Sequence, residues 1–395
     1  MMKNRLSIEI GDICREVKNT SKNPKSDGFD KYIGLEHLDS GSLKISRWGS
    51  LGDEPISFSR VFRAGQILFG KRRPYLKKAA IAEFDGVCSG DIMVLEPKDS
   101  ILDPRLLPFI LQSEGVWHAA VSSSTGSLSP RTKFLALKKH KLSVNKEIDQ
   151  VTIIKILEKT HQVYEQYLEM TLALDQVLRN LYLEFFPNFY EPSTNQVPLP
   201  KDWITLPLGH ILLETPESGF SANEVAHSSG HYVLNLNNLS MNGYVNGEMK
   251  PINESDYNPK LQLSDGDLLI SRANTHELVG LVGIVSSRKE KVIFPDTMMR
   301  LKVNNDIVSS EYLENYLLSP YGRRAIQRIA AGTSASMKKV NKHNLMRIQI
   351  PIPKLPAQNR IVSVLGNCRK IKSEKENNLS VRSLLRSKIV EQIAQ

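Results

Sequence analysis

The chain has 395 residues, of which 41% are hydrophobic and 24% charged, values that are usual for a globular protein of two or three domains. Lysine and arginine number 52 against 42 acidic residues, and the resulting net charge of +10 favours a polyanionic partner such as nucleic acid. The three cysteines, Cys14, Cys88 and Cys368, lie far apart, which excludes a disulfide framework or a thiolate zinc site.

The sequence gives no sign of export or membrane insertion. No apolar run approaches the roughly 20 residues that cross a bilayer, and the N-terminus lacks the apolar core of a signal peptide. Three scattered cysteines suit a reducing compartment. We therefore expect a cytoplasmic protein without a membrane partner.

An internal repeat organises the whole chain. The matching segments, first copy named first, are GDI at Gly11 with GHI at Gly209, YIGLEHL at Tyr32 with YVLNLNNL at Tyr232, GQILFG at Gly65 with GDLLIS at Gly266, DIMVLEP at Asp91 with DTMMRLKV at Asp296, Leu137 with Leu345, and Gln150 with Gln358. The last two pairs are both separated by 208 positions, so the copies run without a gap from there. Such self-similarity predicts two tandem copies of one structural unit.

Each copy is predicted to be a mixed α/β domain followed by a long helix. Short apolar runs such as QILFG and AAIAEF, bounded by Gly and Pro, are typical of strands. The predicted parts are a first domain at 1–146, a long central helix at 147–186, a linker at 187–203, a second domain at 204–354 and a long C-terminal helix at 355–395.

The central helix carries a heptad pattern that predicts a coiled coil. The apolar seam is placed at Ile153, Ile156, Thr160, Val163, Tyr167, Met170, Leu174, Val177 and Leu181, with alternating spacings of three and four. The equivalent positions of the second copy are Ile361, Val364, Cys368, Ile371, Lys375, Asn378, Arg382, Leu385 and Ile389. We expect the two helices to pair with each other as an antiparallel coiled coil.

The segment GQILFGKRRPYLKKAAI, from Gly65, places a dense basic loop between two strand-like runs. It lacks the second glycine and the Lys-Ser/Thr pair of a phosphate-binding P-loop. The corresponding loop of the second copy reads RANTHELV. Arginine, asparagine and threonine can contact base edges as well as phosphates, so the two copies are predicted to bind different DNA sequences.

The candidate DNA-binding residues come from these loops and from the basic segment before each long helix. In the first copy they are Lys71, Arg72, Arg73, Tyr75, Lys77, Arg131 and Lys133, and in the second Arg272, Asn274, Thr275, Lys338 and Lys339. Neither a catalytic residue nor a metal ligand is predicted.

With these segments in place, the chain resembles the specificity subunit of a type I restriction-modification system. The matching residues are GQILFGKRRPY with FDGVCSGDIMVLEP, GDLLISR with FPDTMMRLKV, and TSASMKKVNKHNLMRIQIPIPKLPAQNRIV. The resemblance implies two target-recognition domains that bind a split double-stranded DNA site. It also implies that the chain has no active site of its own and no cofactor.

The partners that the resemblance implies are two methyltransferase subunits that modify adenine N6, and optional restriction subunits with motor and nuclease activity. S-adenosylmethionine, ATP and Mg²⁺ are expected only on those subunits. The long helices would set the spacer length and provide docking faces.

Two other functions are compatible with parts of the sequence. Asp85 with Glu96 and Lys98 forms a loose carboxylate-carboxylate-lysine arrangement that could hold Mg²⁺ in a nuclease, although the second copy has no equivalent. Alternatively, the coiled coil could be the functional part of a non-catalytic scaffold, which leaves the excess positive charge unexplained. RNA binding is disfavoured because no interleaved aromatic platform is present.

Overall fold

The structure is a computed structural model that describes residues 5–52, 57–127, 129–145, 147–186, 199–227, 229–286, 291–332 and 337–393. The chain divides into two compact units, one formed by Met1–Thr171 with Lys375–Gln395 and the other by Leu172–Glu374. Of the predicted linker, residues 187–198 lie outside the described residues. No helix in the described part is both long enough and apolar enough to span a bilayer.

The first unit contains three antiparallel or mixed sheets. Its strands are β1 Arg5–Glu9, β2 Cys14–Val17, β3 Lys31–Ile33, β4 Gly49–Ser50, β5 Arg60–Phe62, β6 Ile67–Gly70, β7 Ala79–Ile81, β8 Gly86–Cys88, β9 Ile92–Pro97 and β10 Lys141–Asn145. Its helices are α1 Ile10–Ile13, α2 Leu107–Leu111, α3 Glu114–Ser122, α4 Phe134–Leu137 and the start of α5 Gln150–Phe185. The sheets have the orders β2-β9-β6-β7, β4-β3-β8-β5 and β1-β10.

The second unit repeats this arrangement. Its strands are β11 Ile204–Pro207, β12 Glu217–Ser218, β13 His231–Leu234, β14 Leu239–Ser240, β15 Gly243–Tyr244, β16 Met249–Ile252, β17 Leu268–Ser271, β18 Ala273–Asn274, β19 Val282–Ile284, β20 Val292–Ile293, β21 Met298–Leu301, β22 Lys338–Lys339 and β23 Gln349–Ile352. Its helices are α6 Ser310–Leu318, α7 Pro320–Ile329, α8 Lys342–Met346 and the start of α9 Leu355–Ile393. The order β12-β21-β17-β19 is that of β2-β9-β6-β7.

Strand register confirms the repeat and corrects one part of its alignment. In the first unit Gly70 lies opposite Ile92, and in the second Ser271 lies opposite Met298. Ile92 therefore corresponds to Met298, and the residue before it, Asp91, corresponds to Thr297. The sequence alignment of Asp91 with Asp296 is wrong by one residue, because the aspartates match by type but occupy different places in the strand pairing.

The predicted mixed α/β class and the antiparallel helix pair are confirmed in each unit. In the first unit Tyr164 of α5 contacts Arg386 of α9, while Tyr167 contacts Arg382, so the two helices run in opposite directions. In the second unit, Lys372 of α9 forms an ion pair with Asp175 of α5 at 2.6 Å. Leu178 and Tyr182, further along α5, share a core with Ile361 and Leu365 of α9.

The predicted seam of α5 has the right spacing but the wrong register. Ile156, Met170 and Val177 of the predicted seam are 45%, 44% and 49% exposed. The buried positions each lie one residue later: Ile154, Leu157, Tyr164, Thr171, Leu178 and Tyr182. Apolar residues occupy both neighbouring faces of this helix, and packing against the globular part of each unit decides which face is buried.

The seam of α9 is shifted in the same way over most of its length. Ile361 is buried as predicted, but Val364, Ile371 and Leu385 are exposed. The polar residues that the seam buries are Lys372 and Arg386, at 9% and 5% exposure. Polar seam residues lower stability but define register and partner.

The end of α9 completes the core of the first unit. Val390 is 1% exposed and belongs to the same buried cluster as Ile10, Trp117, Ile154 and Leu157. Residues near the C-terminus therefore contribute to the domain that begins at the N-terminus. Burial raises the pKa of Cys14 and of Cys88 in this unit to about 12, which disfavours the reactive thiolate form.

Candidate nucleic-acid interface

The basic loop of the first copy has an unusual backbone. After β6 ends at Gly70, Arg73 and Lys77 adopt φ angles of 52° and 50°, in the left-handed region. They flank a short 3₁₀ turn over Pro74–Leu76. Non-glycine residues with positive φ are uncommon and cluster at functional sites, so this loop has a defined shape that costs energy to maintain.

Backbone hydrogen bonds join this loop to the basic segment that precedes the long helix, about 60 residues further along the chain. The amide of Thr132 donates to the carbonyl of Lys71 at 2.9 Å, and the amide of Arg73 donates to the carbonyl of Pro130 at 2.7 Å. Arg72 and Arg131 thereby lie opposite each other in an antiparallel bridge. The fold brings the two basic segments together.

The second copy makes the equivalent connection. Strand β18 pairs with β22, so that Ala273 lies opposite Lys339 and Asn274 opposite Lys338. The amide of Val340 donates to the carbonyl of Arg272 at 2.9 Å, which matches the bond between Thr132 and Lys71. In both copies, the loop after the central strand therefore lies beside the segment that leads into the long helix.

The predicted residues differ in accessibility. The exposed ones are Arg73, Tyr75, Arg131, Lys133, Thr275 and Lys339, and the half-buried ones are Lys71, Arg72, Lys77, Arg272, Asn274 and Lys338. Two of the half-buried lysines already have protein partners. Lys77 forms a 2.7 Å ion pair with Glu114, and the ammonium of Lys338 donates to the carbonyl of Gly332. Residues 333–336 of the second segment lie outside the described residues.

Asp91 is a charged residue of this surface that the sequence did not single out. Its Oδ1 accepts from Arg131 Nε at 2.8 Å, and its Oδ2 accepts from Arg72 Nη1 at 3.2 Å. Burial alone would raise the pKa of Asp91, but the hydrogen bonds from Arg131 and Arg72 lower it below its usual value. The second copy has Thr297 at this position and Ala273 in place of Arg72.

An anchor for the loop of the second copy also escaped sequence reasoning. Arg323, on α7, is 5% exposed and donates from Nη2 to the carbonyls of Glu277 and Val279 at 2.9 and 2.8 Å. Burial lowers the pKa of Arg323 to about 10. In the first copy the equivalent helix α3 supplies Glu114, the partner of Lys77. Each loop is thus held from the same helix by a different interaction.

An open cavity of about 440 Å³ lies next to Arg131 in the first unit. It is lined by Ser123, Thr125, Arg131, Lys133, Leu135, Ala136 and Lys139. The lining contains three cations and no carboxylate, which is the electrostatic character expected of a phosphate-binding surface.

The alternative nuclease residues are engaged in separate interactions. Asp85 binds Arg63 at 2.7 Å, and Glu96 binds Arg15 at 2.6 Å. The ammonium of Lys98 donates to the carbonyl of Gly11. Within the described ranges, no cluster of three or more histidine, cysteine or acidic residues is arranged to hold a metal ion.

The described residues thus form two copies of one α/β domain, each leading into a long helix, and in each unit the two long helices run antiparallel. Residues 200–381, a little under half of the chain, match the family model of the type I restriction modification DNA specificity domain. The resemblance stated from the sequence is thereby confirmed.

Relatives support the same family. A Methanocaldococcus jannaschii protein assigned as the MjaX type I restriction enzyme specificity subunit is 25% identical over 194 residues, which cover 47% of this chain and 44% of that protein. The EcoDI specificity subunit of Escherichia coli is 30% identical over 91 residues, or 23% of this chain and 20% of that protein. The matches thus span less than half the length of either relative.

Structural similarity extends over nearly the whole chain. A type I restriction-modification S subunit from M. genitalium has a TM-score of 0.53 and 14% identity, with 99% of this chain and 96% of that chain covered. This likeness concerns the fold.

Proposed function

We propose that this chain is the DNA-binding specificity subunit of a type I restriction-modification complex and that it recognises a bipartite site in double-stranded DNA. The observation that carries the proposal is the pair of equivalent strand connections with different side chains, Arg72 opposite Arg131 in one copy and Ala273 opposite Lys339 in the other. A common scaffold that presents different side chains suits two half-sites of different sequence.

The proposed protein partners are two adenine-N6 methyltransferase subunits and, where present, restriction subunits. Exposed apolar residues on the long helices support docking, because exposed apolar surface of this kind marks protein–protein contacts. They are Ile156, Met170, Val381, Leu384 and Leu385 in the first unit, and Leu172, Val177, Leu183, Val364 and Ile371 in the second.

Catalysis belongs to the partners in this proposal. The chain recognises DNA, while S-adenosylmethionine, ATP and Mg²⁺ are bound by the methyltransferase and restriction subunits. A subunit that acts on chromosomal DNA in a prokaryotic cell works in the cytoplasm.

Mapping of N6-methyladenine across the genome tests the proposal directly. The chain would be co-expressed with the neighbouring methyltransferase, and cells that lack only this chain provide the comparison. We expect a split methylated motif with a constant spacer that disappears when the chain is deleted. Methylation that is unchanged by the deletion would contradict the proposal.

A second measurement distinguishes contacts to DNA bases from contacts to phosphates. Arg73→Ala is expected to reduce methylation through one half-site, while Arg63→Ala, which removes an exposed arginine outside the interface, leaves the motif unchanged. Equal loss of binding to all DNA, with a smaller dependence on salt, would mean that Arg73 contacts only phosphate.

A further inference from the structure

Asp91 places a negative charge inside the basic surface of the first copy. Its side chain is 20% exposed, and it lies between Arg72 and Arg131, whose side chains are 38% and 48% exposed. A carboxylate in this place weakens the attraction of the surface for phosphates. If the two arginines only neutralised the DNA backbone, Asp91 would therefore be unfavourable for binding.

What the carboxylate provides is orientation. Arg131 donates to Asp91 through Nε at 2.8 Å, and its two terminal nitrogens have no protein partner among the described residues. Arg72 uses both terminal nitrogens, one for Asp91 at 3.2 Å and the other for the hydroxyl of Ser129 at 3.1 Å. Arg72 is thus engaged within the protein, whereas Arg131 presents an oriented, exposed guanidinium edge.

An oriented guanidinium edge matches the paired acceptors of a guanine base. Guanine offers two acceptors, O6 and N7, in the major groove, and arginine binds them with two parallel hydrogen bonds. The guanidinium must be held in one plane for this contact, and the bond to Asp91 restricts it in that way. Attraction to the DNA backbone alone does not require this fixed orientation.

The second copy lacks each component of this arrangement. Lys339 takes the place of Arg131, Ala273 that of Arg72, and Thr297 that of Asp91. Lysine is a flexible point charge and lacks the planar fork of arginine. The two copies therefore differ in the kind of DNA contact made at the same place in the fold.

We propose that Asp91 is a specificity-determining positioning residue, which holds Arg131 for two-bond recognition of a guanine in the half-site bound by the first copy. This inference rests on the proposed function, since it assumes that the first copy binds one half of a split site.

The test compares methylated motifs from cells that produce the full chain with its methyltransferase, sampled soon after induction, before methylation saturates. Asp91→Asn removes the charge but keeps the shape, and Arg131→Lys keeps the charge but removes the planar fork. Asp85→Asn is the matched control, because Asp85 forms an exposed ion pair with Arg63 in the same unit. Thermal unfolding of each purified variant checks that it folds.

We expect the wild-type motif to contain a guanine whose replacement by another base reduces methylation about 10- to 100-fold. Arg131→Lys should weaken this preference because the planar fork is lost, and Asp91→Asn should reduce it about tenfold while methylation of near-cognate sites rises. The other half-site should be unchanged, and Asp85→Asn should reproduce the wild-type motif.

The outcomes distinguish this inference from the proposed function. A split motif without such a guanine, or with a guanine preference that folded Asp91→Asn and Arg131→Lys chains retain, overturns the guanine inference alone. If the wild-type chain gives no split motif, the proposed function itself fails before any variant is compared.

Discussion

Gln150 and Gln358, 208 positions apart, make the same contact in the two copies. The side-chain oxygen of Gln150 accepts from the amide of Asp103 at 2.7 Å, and its nitrogen donates to the carbonyl of Ile101. Gln358 likewise binds the amide of Ser309 at 2.9 Å and the carbonyl of Ile307. In each copy, the first turn of the long helix is fastened to the loop before the domain's own helices.

This relationship predicts that both glutamines contribute to the free energy of unfolding. Gln358→Ala should lower the free energy of unfolding by about 1–3 kcal/mol, because Gln358 is 0% exposed and its loss leaves the backbone groups that it binds without this partner. Gln150→Ala should cost less, since Gln150 is only half-buried. Denaturant unfolding measures the stability loss of both variants. Gln176→Ala, at an exposed position of α5, is the control, and an equal small loss in all three variants would contradict the prediction.

The register of α5 can be tested with two adjacent residues. Leu157 is 0% exposed and Ile156 is 45% exposed. Leu157→Ala should therefore cost about 2–5 kcal/mol of unfolding free energy, and Ile156→Ala less than about 1 kcal/mol. Thermal or denaturant unfolding compares the two. A larger loss for Ile156→Ala would support the seam that the heptad pattern predicted.

A third prediction concerns the contribution of α9 to the first unit. Val390→Ala should destabilise that unit by about 2 kcal/mol, because the side chain is removed from a closed core. Val381→Ala, at a position of the same helix that is 65% exposed, is the matched control. Hydrogen exchange locates the effect. Loss of protection only in residues 172–374 would be inconsistent with the prediction.

The fourth prediction is a dependence on pH through His161. Burial, followed by the nearby positive charge of Arg386, lowers the pKa of His161 from 6.5 to about 4. Between these values the unfolded chain binds a proton that the folded chain does not, so stability falls as the pH falls through this window. The contribution of His161 between pH 7 and 5 should be about 2 kcal/mol.

His161→Gln isolates this effect from the other titrating groups. Unfolding free energies measured at both pH values should show a smaller loss in His161→Gln than in the wild-type chain. His343→Gln, at an exposed position, should retain the wild-type loss. A wild-type pH dependence that is unchanged in His161→Gln would show that His161 is not its source.

The two-copy organisation and the main strands could be predicted from the sequence, because repeats and apolar strands leave recognisable patterns of neighbouring residues. Gly65 and Gly266 precede equivalent strands, and the basic loop that begins at Lys71 lies where the repeat indicated. The register of α5 was not predictable, since Ile153 and Ile154 begin two apolar faces of the same spacing. Tertiary packing decides between them.

The charged partners within the interface were also beyond sequence reasoning. Asp91 and Arg323 are single polar residues in otherwise ordinary segments, and their roles depend on contacts with residues that are distant in the chain. Spacing patterns detect elements that repeat along the chain, whereas an isolated contact of this kind leaves no such pattern.

The position of Val390 has a consequence for the order of synthesis. Ribosomes deliver the N-terminal residues first, and domains generally begin to fold as they emerge. The core around Ile10 and Trp117, however, includes Val390, which follows the whole second domain along the chain. The hydrophobic core of the first domain therefore stays incomplete while the whole second domain is synthesised. A stop codon introduced shortly before Val390 would thus damage the half of the protein that was synthesised first.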